Sequence, residues 1–551
     1  MHLKRNTRKK THILALGLIM FALLLPGCIG QEEEEVALAT DPDTLVIVND
    51  ISDSVSLDPA QAYEFSSCYI VRTTYDCLVA LNPDDYSVIE PRLAESWSKS
   101  ADGITWTFNI RQDANFHSGR QVTADDVVWS LQRLFYLDMA PDFVILQWIE
   151  SKDDIKKVGD FAVEITFTDK YADFLILSCL AFTVGSVIDR ELALEHEEKT
   201  DAYPDGDMGN LWLNDHSAGS GPFILDHWTK LDEFVLNRYE DWYINKAGMK
   251  KVIMKHIPDY TVERMQLEAG DADIAMQLQA DQIKELKGEP GIRIQTVPSF
   301  RVRYVAINQY NFEPGRDERV RDAIRWAIDY QGIVNEVMAG GAIIGQSFVP
   351  NGMFGHNPAM PYTRDVAKAK ALLEDAGYST GFEAEMLCSN APPWPAMAVK
   401  IQADLAEVGI DVTVTQMVSA EMYQVYRQQN HEMILAQWGA DYPDPDAQAK
   451  PFAHCDDMGP DGTVHQLAWR NMAENPELAD MVDAAALEPD EATRIAMYIE
   501  MQEIVADWGP FAILYYPLFQ HGVRTWVEGY TLGPMFFGGE LWTVYKERVA
   551  A

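Results

Sequence analysis

Phe382-Glu383-Ala384-Glu385-Met386-Leu387 alternates polar and apolar residues before a run of apolar periodicity. It reads as a strand. Trp394 to Val408 then carries apolar residues at helical spacing and stops at Gly409, Ile410 to Met417 is a second strand, Ala420 to Gln429 is helical, and Glu432 to Gln437 returns to a strand. Strands that alternate with helices pair in parallel through right-handed crossovers, so the stretch predicts an α/β fold. The chain continues as Gln437-Trp438-Gly439-Ala440-Asp441-Tyr442-Pro443-Asp444-Pro445-Asp446. Open parallel sheets place ligand crevices beyond the carboxyl ends of their strands, and Asp441 falls there. A carboxylate between aromatic residues can pair with a ligand cation in shelter from water. Asp and Pro are equally the residues of a surface turn with an acidic edge.

Working outward, Val320, Ile324, Ala327, Ile328 and Val334 recur at helical spacing up to Gly340-Gly341, and Arg364 to Ala376 repeats the pattern before Gly377. Thr44 to Val48 reads as a strand, followed by the turn Ser56 to Ala60, the segment Tyr63-Glu64-Phe65 and a helical run carrying Tyr69, Thr73 and Leu78. Thr105 to Ile110 alternates as a strand, and Thr123 can cap a helix running through Leu134, with Asp126 in its first turn. Near the carboxyl end, Arg494 to Val505 reads as a helix, Phe511 to Tyr516 as an apolar strand and His521 to Tyr530 as an outward loop.

With 551 residues, 47% of them hydrophobic, the chain can bury several cores and calls for two or three domains. Lys4, Arg5, Arg8, Lys9 and Lys10 precede an uncharged apolar run from Ile13 to Leu25 and then Pro26-Gly27-Cys28. This is a secretory signal architecture, with an apolar run short of the ~20 residues that span a bilayer. The Gly27-Cys28 junction resembles a lipobox, in which the cysteine is diacylated and begins the mature protein, although Pro26 departs from the small residue usual there. An uncleaved signal anchor is the competing reading. Gln31 and Glu32 to Glu35 then read as a solvated tether.

The formal charge is -41, and removing residues 1 to 27 with their five positive and no negative side chains leaves about -46. Such a surface repels nucleic acid and anionic head groups. It suits cationic ligands or a saline habitat. Beyond Cys28 stand Cys68, Cys77, Cys179, Cys388 and Cys455, an odd number without metal-type pairs, so at least one thiol stays free in a monomer and any disulfide pairing is left open.

Leu93-Ala94-Glu95-Ser96-Trp97, Asp102-Gly103, Phe108, Arg111, Phe116-His117-Ser118-Gly119 and Val122-Thr123-Ala124-Asp125-Asp126-Val127 resemble the signature of the family 5 extracellular solute-binding proteins. The likeness continues through Gly219-Ser220-Gly221-Pro222-Phe223 with Leu236-Asn237-Arg238-Tyr239 as a hairpin, Glu268-Ala269-Gly270-Asp271-Ala272-Asp273, and Arg319-Val320-Arg321-Asp322-Ala323-Ile324. It implies a periplasmic-binding-protein-like fold of the cluster C, type II-like kind, with two lobes around a hinge and an inserted domain. The expected segments are a signal peptide over 1-27, a lipid-anchored acidic tether over 28-43, domain I over 44-85, 211-300 and 516-551, domain II over 86-210, and domain III, the ligand-binding lobe, over 301-515. The resemblance further implies an extracytoplasmic, lipid-anchored binder of an ABC importer. Such a protein captures a peptide or similar amine-bearing solute by hinge closure and hands it to a membrane permease and ATPase. It is expected to act as a monomer without a cofactor. An oligosaccharide or nickel complex is the alternative ligand on the same scaffold.

In the peptide-binding branch of that family, the aspartate of a Trp-x-x-Asp segment holds the ligand's α-ammonium group, and Trp438-Gly439-Ala440-Asp441 matches. The expected site is therefore Asp441 with Trp438, Gly439, Tyr442, Tyr63 and Asn390. Trp438 lines the pocket or belongs to the core, and Tyr63 and Phe65 face the same choice. The dipeptide binders carry an arginine before the helix that starts at Trp394, where it clamps the ligand's carboxylate. Cys388-Ser389-Asn390-Ala391-Pro392-Pro393 has none.

The competing class is an exported hydrolase of glycosidase type, and its motifs are weak. His431-Glu432-Met433 lacks the second histidine of a zinc protease helix, and Gly219-Ser220-Gly221 lacks the outer glycines of a nucleophile elbow. His454-Cys455-Asp456-Asp457 with His465 has metal-ligating types at loose spacing and reads as a polar loop.

Overall fold

The computed structural model describes residues 41–535 and 539–547. The stretch that opened the sequence reading folds as expected: Phe382–Ser389 pairs in parallel with Ile410–Met417 over eight residues, and with Met433–Gly439 through Met386 and Leu387. The helices Trp394–Ala406 and Ser419–Arg427 make the crossovers. Gly381 and Gly409 sit against each other where two of these strands begin. A side chain at Gly381 would put its Cβ 1.8 Å from the Gly409 carbonyl oxygen, and both glycines have positive φ, so neither position admits an ordinary residue.

The three parallel strands form one end of a 12-stranded mixed sheet. Arg301–Ile307 joins Met433–Gly439 antiparallel, and Phe511–Arg524 joins Arg301–Ile307. Phe511–Arg524 is a single 14-residue strand that serves two ladders. Its first half pairs with Arg303 to Ala306, and its second half pairs with Ile292–Pro298 from Leu518 onward. Beyond it the sheet continues through Ile274–Ala275, Thr44–Asn49, Lys251–His256 and the hairpin Glu233–Arg238 with Phe223–Thr229. A separate four-stranded antiparallel sheet is built from Ala94–Lys99, Thr105–Ile110, Ala162–Thr166 and Ile155–Gly159. Its face is covered by Ala124–Leu137, whose start carries the expected capping box of Thr123 and Asp126.

Three local expectations are corrected. His521 to Tyr530 is not an outward loop, because Gly522 and Val523 lie in the sheet and the His521 ring bonds the Tyr530 hydroxyl at 2.8 Å. The helix expected to run from Val320 to Val334 ends at Ala327. Asp329 then starts a new turn by accepting from the Gly332 amide, while its own amide donates to Asp404. Leu78 lies outside the helix, which is Phe65–Thr74, and enters the core from the segment after it.

All five cysteines among the described residues are free. No group of three or more His, Cys, Asp or Glu among the described residues could hold a metal. The loop at Asp456 is closed instead by the Thr463 amide and hydroxyl. No helix of the described residues is long and apolar enough to cross a membrane. Cys28 and the apolar run before it lie outside the described residues.

Candidate functional site

The site grows from two chain segments that meet far from each other in sequence. The first carries Tyr63 and Phe65. It is pinned from below by Asp58, whose buried carboxylate takes both terminal guanidinium nitrogens of Arg133 at 2.7 and 2.5 Å and the Asn210 side-chain amide at 2.7 Å. Arg133 stands on Ala124–Leu137, so the turn Ser56 to Ala60 is fixed by a fully buried ion pair. The Tyr63 ring then lies edge-on to Phe143 and Phe182 at 6.2 and 6.4 Å.

The second segment is the end of Met433–Gly439. After Gly439 the ladder continues for one bond, from the Ala440 amide to the Phe300 carbonyl, and the next residue is Asp441. The Tyr63 hydroxyl donates to Asp441 Oδ1 at 2.7 Å. Asp441 is 7% exposed. Burial pushes its carboxyl up to about 6 from the ordinary 3.8, and the Tyr63 hydrogen bond opposes that rise only in part.

Some other buried carboxylates pair with cations, while Asp207 and Glu263 accept from backbone amides instead. Asp58 has Arg133, Asp444 has Arg494 at 2.6 Å, and Asp273 has Lys546 at 2.8 Å. Asp441 has no cation within ion-pair distance among the described residues, and no positive side chain contributes to its shift. A buried carboxylate of this kind is complementary to a ligand ammonium.

The remaining expected residues divide. Gly439 faces Arg301 across the ladder. The half-buried Trp438 ring packs on the core, and its indole N–H donates to the Ala447 carbonyl at 2.9 Å, which fixes the turn behind Asp441. Tyr442 turns inward: it is buried, and its hydroxyl donates to Asp446 at 2.9 Å, beside the Asp444–Arg494 pair. Asn390 is exposed, with its amide bonded to the Met417 carbonyl after Phe382–Ser389, and it is not brought to Asp441 by any contact.

Two residues that sequence reasoning passed over stand beside the site. Arg301 and Arg303 project from the same face of Arg301–Ile307, opposite Gly439 and Gln437. Arg301 lies over Phe65 at 4.3 Å and lines a cavity of about 390 Å³ with Asp50, Asp53, Phe65, Phe519 and His521. Arg303 stacks on Trp394 at 4.5 Å. The available signal was two cations at strand spacing in an otherwise apolar strand.

Comparison with known proteins identifies the family and the fold. A profile described as bacterial extracellular solute-binding proteins, family 5, matches residues 88–460. The chain is 29% identical over 504 residues to the probable D,D-dipeptide-binding periplasmic protein DdpA of Escherichia coli, covering 91% of this chain and 94% of that protein. It is 25% identical to the dipeptide-binding protein of the same organism, over 96% and 98% of the two chains. The periplasmic binding protein DppA of Helicobacter pylori, solved with the peptide STSA, superposes with a TM-score of 0.74 at 25% identity, over 92% of this chain and 98% of that one. The matched profile covers well over half of the sequence and includes both the four-stranded sheet and Asp441, so the chain belongs to family 5 of the bacterial extracellular solute-binding proteins.

Proposed function

We propose that this protein captures a peptide, or a similar solute with a free amine, outside the cytoplasm and delivers it to an ABC permease and its ATPase. The observation that carries the reading is Asp441, buried without a cation and held by Tyr63. A ligand ammonium supplies the missing charge and restores the carboxylate to its ionised form. The relatives named above, dipeptide binders among them, support a peptide over the oligosaccharide or nickel alternatives.

The lobes are taken as residues 44-85, 211-300 and 516-551 on one side and 301-515 on the other, with 86-210 inserted. Support comes from the two strand crossings: Pro298 to Arg301, and Tyr515 to Leu518, where Phe511–Arg524 leaves one ladder and enters the next. Closure about these crossings brings Tyr63 and Asp441 together, and the permease recognises the closed form. Diacylation of Cys28 tethers the mature monomer to the membrane through the acidic segment 28-43.

A thermal-shift panel of peptides, amino-sugars, disaccharides and nickel tests the reading. Ligand at about 100 times its dissociation constant adds ~2.7 kcal/mol to stability. Stabilisation by free-amine peptides supports it, and stabilisation by disaccharides or nickel alone overturns it. Intact ligand in native mass spectrometry separates a binder from a hydrolase, which would release cleaved products.

A further inference from the structure

The loop before Trp394 has no arginine, yet the region it borders is not without positive charge. Arg301 and Arg303 lie two residues apart on one strand face, so their guanidinium groups are neighbours. Arg303 has its Nε and Nη1 buried without a hydrogen-bond partner. Its plane rests on Trp394, the first residue of Trp394–Ala406, which fixes where those donors lie. Gln437, directly across the ladder from Arg303, has its Oε1 buried without a partner as well.

Arg301 is sandwiched between Phe65 and Phe519 at 4.3 and 4.9 Å. Asp50 and Asp53 line the same cavity, but Asp53 accepts from the Ser66 amide at 3.1 Å and Asp50 faces His256 at 3.4 Å. Neither acid contributes to the state of Arg301, whose guanidinium is pushed down to about 9 by burial and by repulsion from Arg303. Among the described residues, neither arginine makes an ion pair. Arg72, Arg120, Arg133, Arg325 and Arg494 have carboxylates, and the buried Arg321 and Arg524, which make no ion pair, donate to backbone carbonyls instead. Arg303, with its buried and unmatched Nε and Nη1, beside the charge of Arg301 forms a site suited to an anion, because one negative group relieves both the mutual repulsion and the unmet hydrogen bonds.

We propose that Arg301 and Arg303 receive an anionic group of the ligand, a carboxylate in the case of a peptide, with Trp394 holding Arg303 in position. The assignment rests on the amine reading of Asp441 and deepens it: the ligand is zwitterionic. Its ammonium lies at the strand end and its carboxylate further back along the same ladder, opposite Gly439 and Gln437. The carboxylate end is therefore gripped from Arg301–Ile307, an element different from the loop at Asn390.

The test is a calorimetric panel of di-, tri- and tetra-alanine, each as the free peptide, the carboxyl-terminal amide and the N-acetyl form, titrated into wild type, Arg303→Gln, Arg301→Gln and Arg303→Lys. Wild type is expected to prefer the free acid over the amide by on the order of tenfold to a hundredfold, the usual range for a charge-assisted contact. Arg303→Gln erases the preference while still binding the amide, and Arg303→Lys recovers part of it. Apo Arg303→Gln melts at the wild-type temperature or above, since an uncompensated charge has been removed. Equal binding of acid and amide by wild type overturns the assignment, while a retained preference for the free amine over the N-acetyl form leaves the Asp441 reading standing. A lower apo melting temperature in Arg303→Gln with an unchanged acid-to-amide ratio makes the arginine structural and also overturns it. If no member of the panel binds, the peptide reading and the assignment fall together.

Discussion

The hydroxyl of Tyr63 and the carboxylate of Asp441 meet at 2.7 Å across a separation of 378 residues. The two sides of the contact are held by different means: Tyr63 by the Asp58–Arg133 pair and its aromatic neighbours, Asp441 by the end of a sheet strand. With the two sides in contact, the carboxylate is held in a low-dielectric place, where pairing with a cation is worth most.

Asp441→Asn should stabilise the apo protein and weaken an amine ligand. The folded carboxyl is raised to about 6 from 3.8, so its contribution favours folding while it is protonated, and is lost as pH rises through about 6. Above that pH the ionised group costs on the order of 1 to 3 kcal/mol, which the amide does not. Denaturant unfolding at pH 5 and pH 8 checks this: the advantage of Asp441→Asn is expected at pH 8 and should shrink at pH 5.

Ligand binding should weaken on acidification. A ligand ammonium needs the ionised carboxylate, so affinity is expected to fall below about pH 6 with protons released on binding in that range. Calorimetry in buffers of different ionisation enthalpy counts those protons. Asp441→Asn should show no such release.

Tyr63→Phe removes the hydrogen bond that lowers the Asp441 carboxyl. The midpoint of the pH dependence is expected to move upward, and affinity at pH 7 to fall by about 1 kcal/mol, the ordinary worth of one such bond. Shifting the pH profile distinguishes this from a loss of packing, which would lower affinity at every pH alike.

Arg494→Met should unfold the protein more readily without acting on the ligand charge. Arg494 holds both oxygens of Asp444 in the interior, and removing it leaves that carboxylate uncompensated at a cost of about 3 to 5 kcal/mol. Urea unfolding measures the loss, and Asp444→Asn in the Arg494→Met background should recover part of it.

The strand-helix alternation from Phe382 to Gln437 was legible because period and glycine stops are local, and it placed Asp441 correctly at a strand end. Directions beyond a strand end are not local. Tyr442 turns into the core beside Asp444 and Arg494, and this could be read only once the helix bearing Arg494 was in place. The strand over His521 was hidden because its hydrogen bonds come from Ile292–Pro298 and its polar ring is satisfied by Tyr530. Arg301 and Arg303 read as ordinary strand cations; their lack of carboxylate partners is a tertiary fact that spacing does not contain.

Recognition of a ligand amine by Asp441 is decided by one calorimetric cycle: a free-amine peptide and its N-acetyl form, each titrated into wild type and Asp441→Asn at pH 7.5. Wild type is expected to prefer the free amine strongly, and the preference is expected to disappear in Asp441→Asn. Equal affinity for both peptides in wild type, or an undiminished preference in Asp441→Asn, would contradict it.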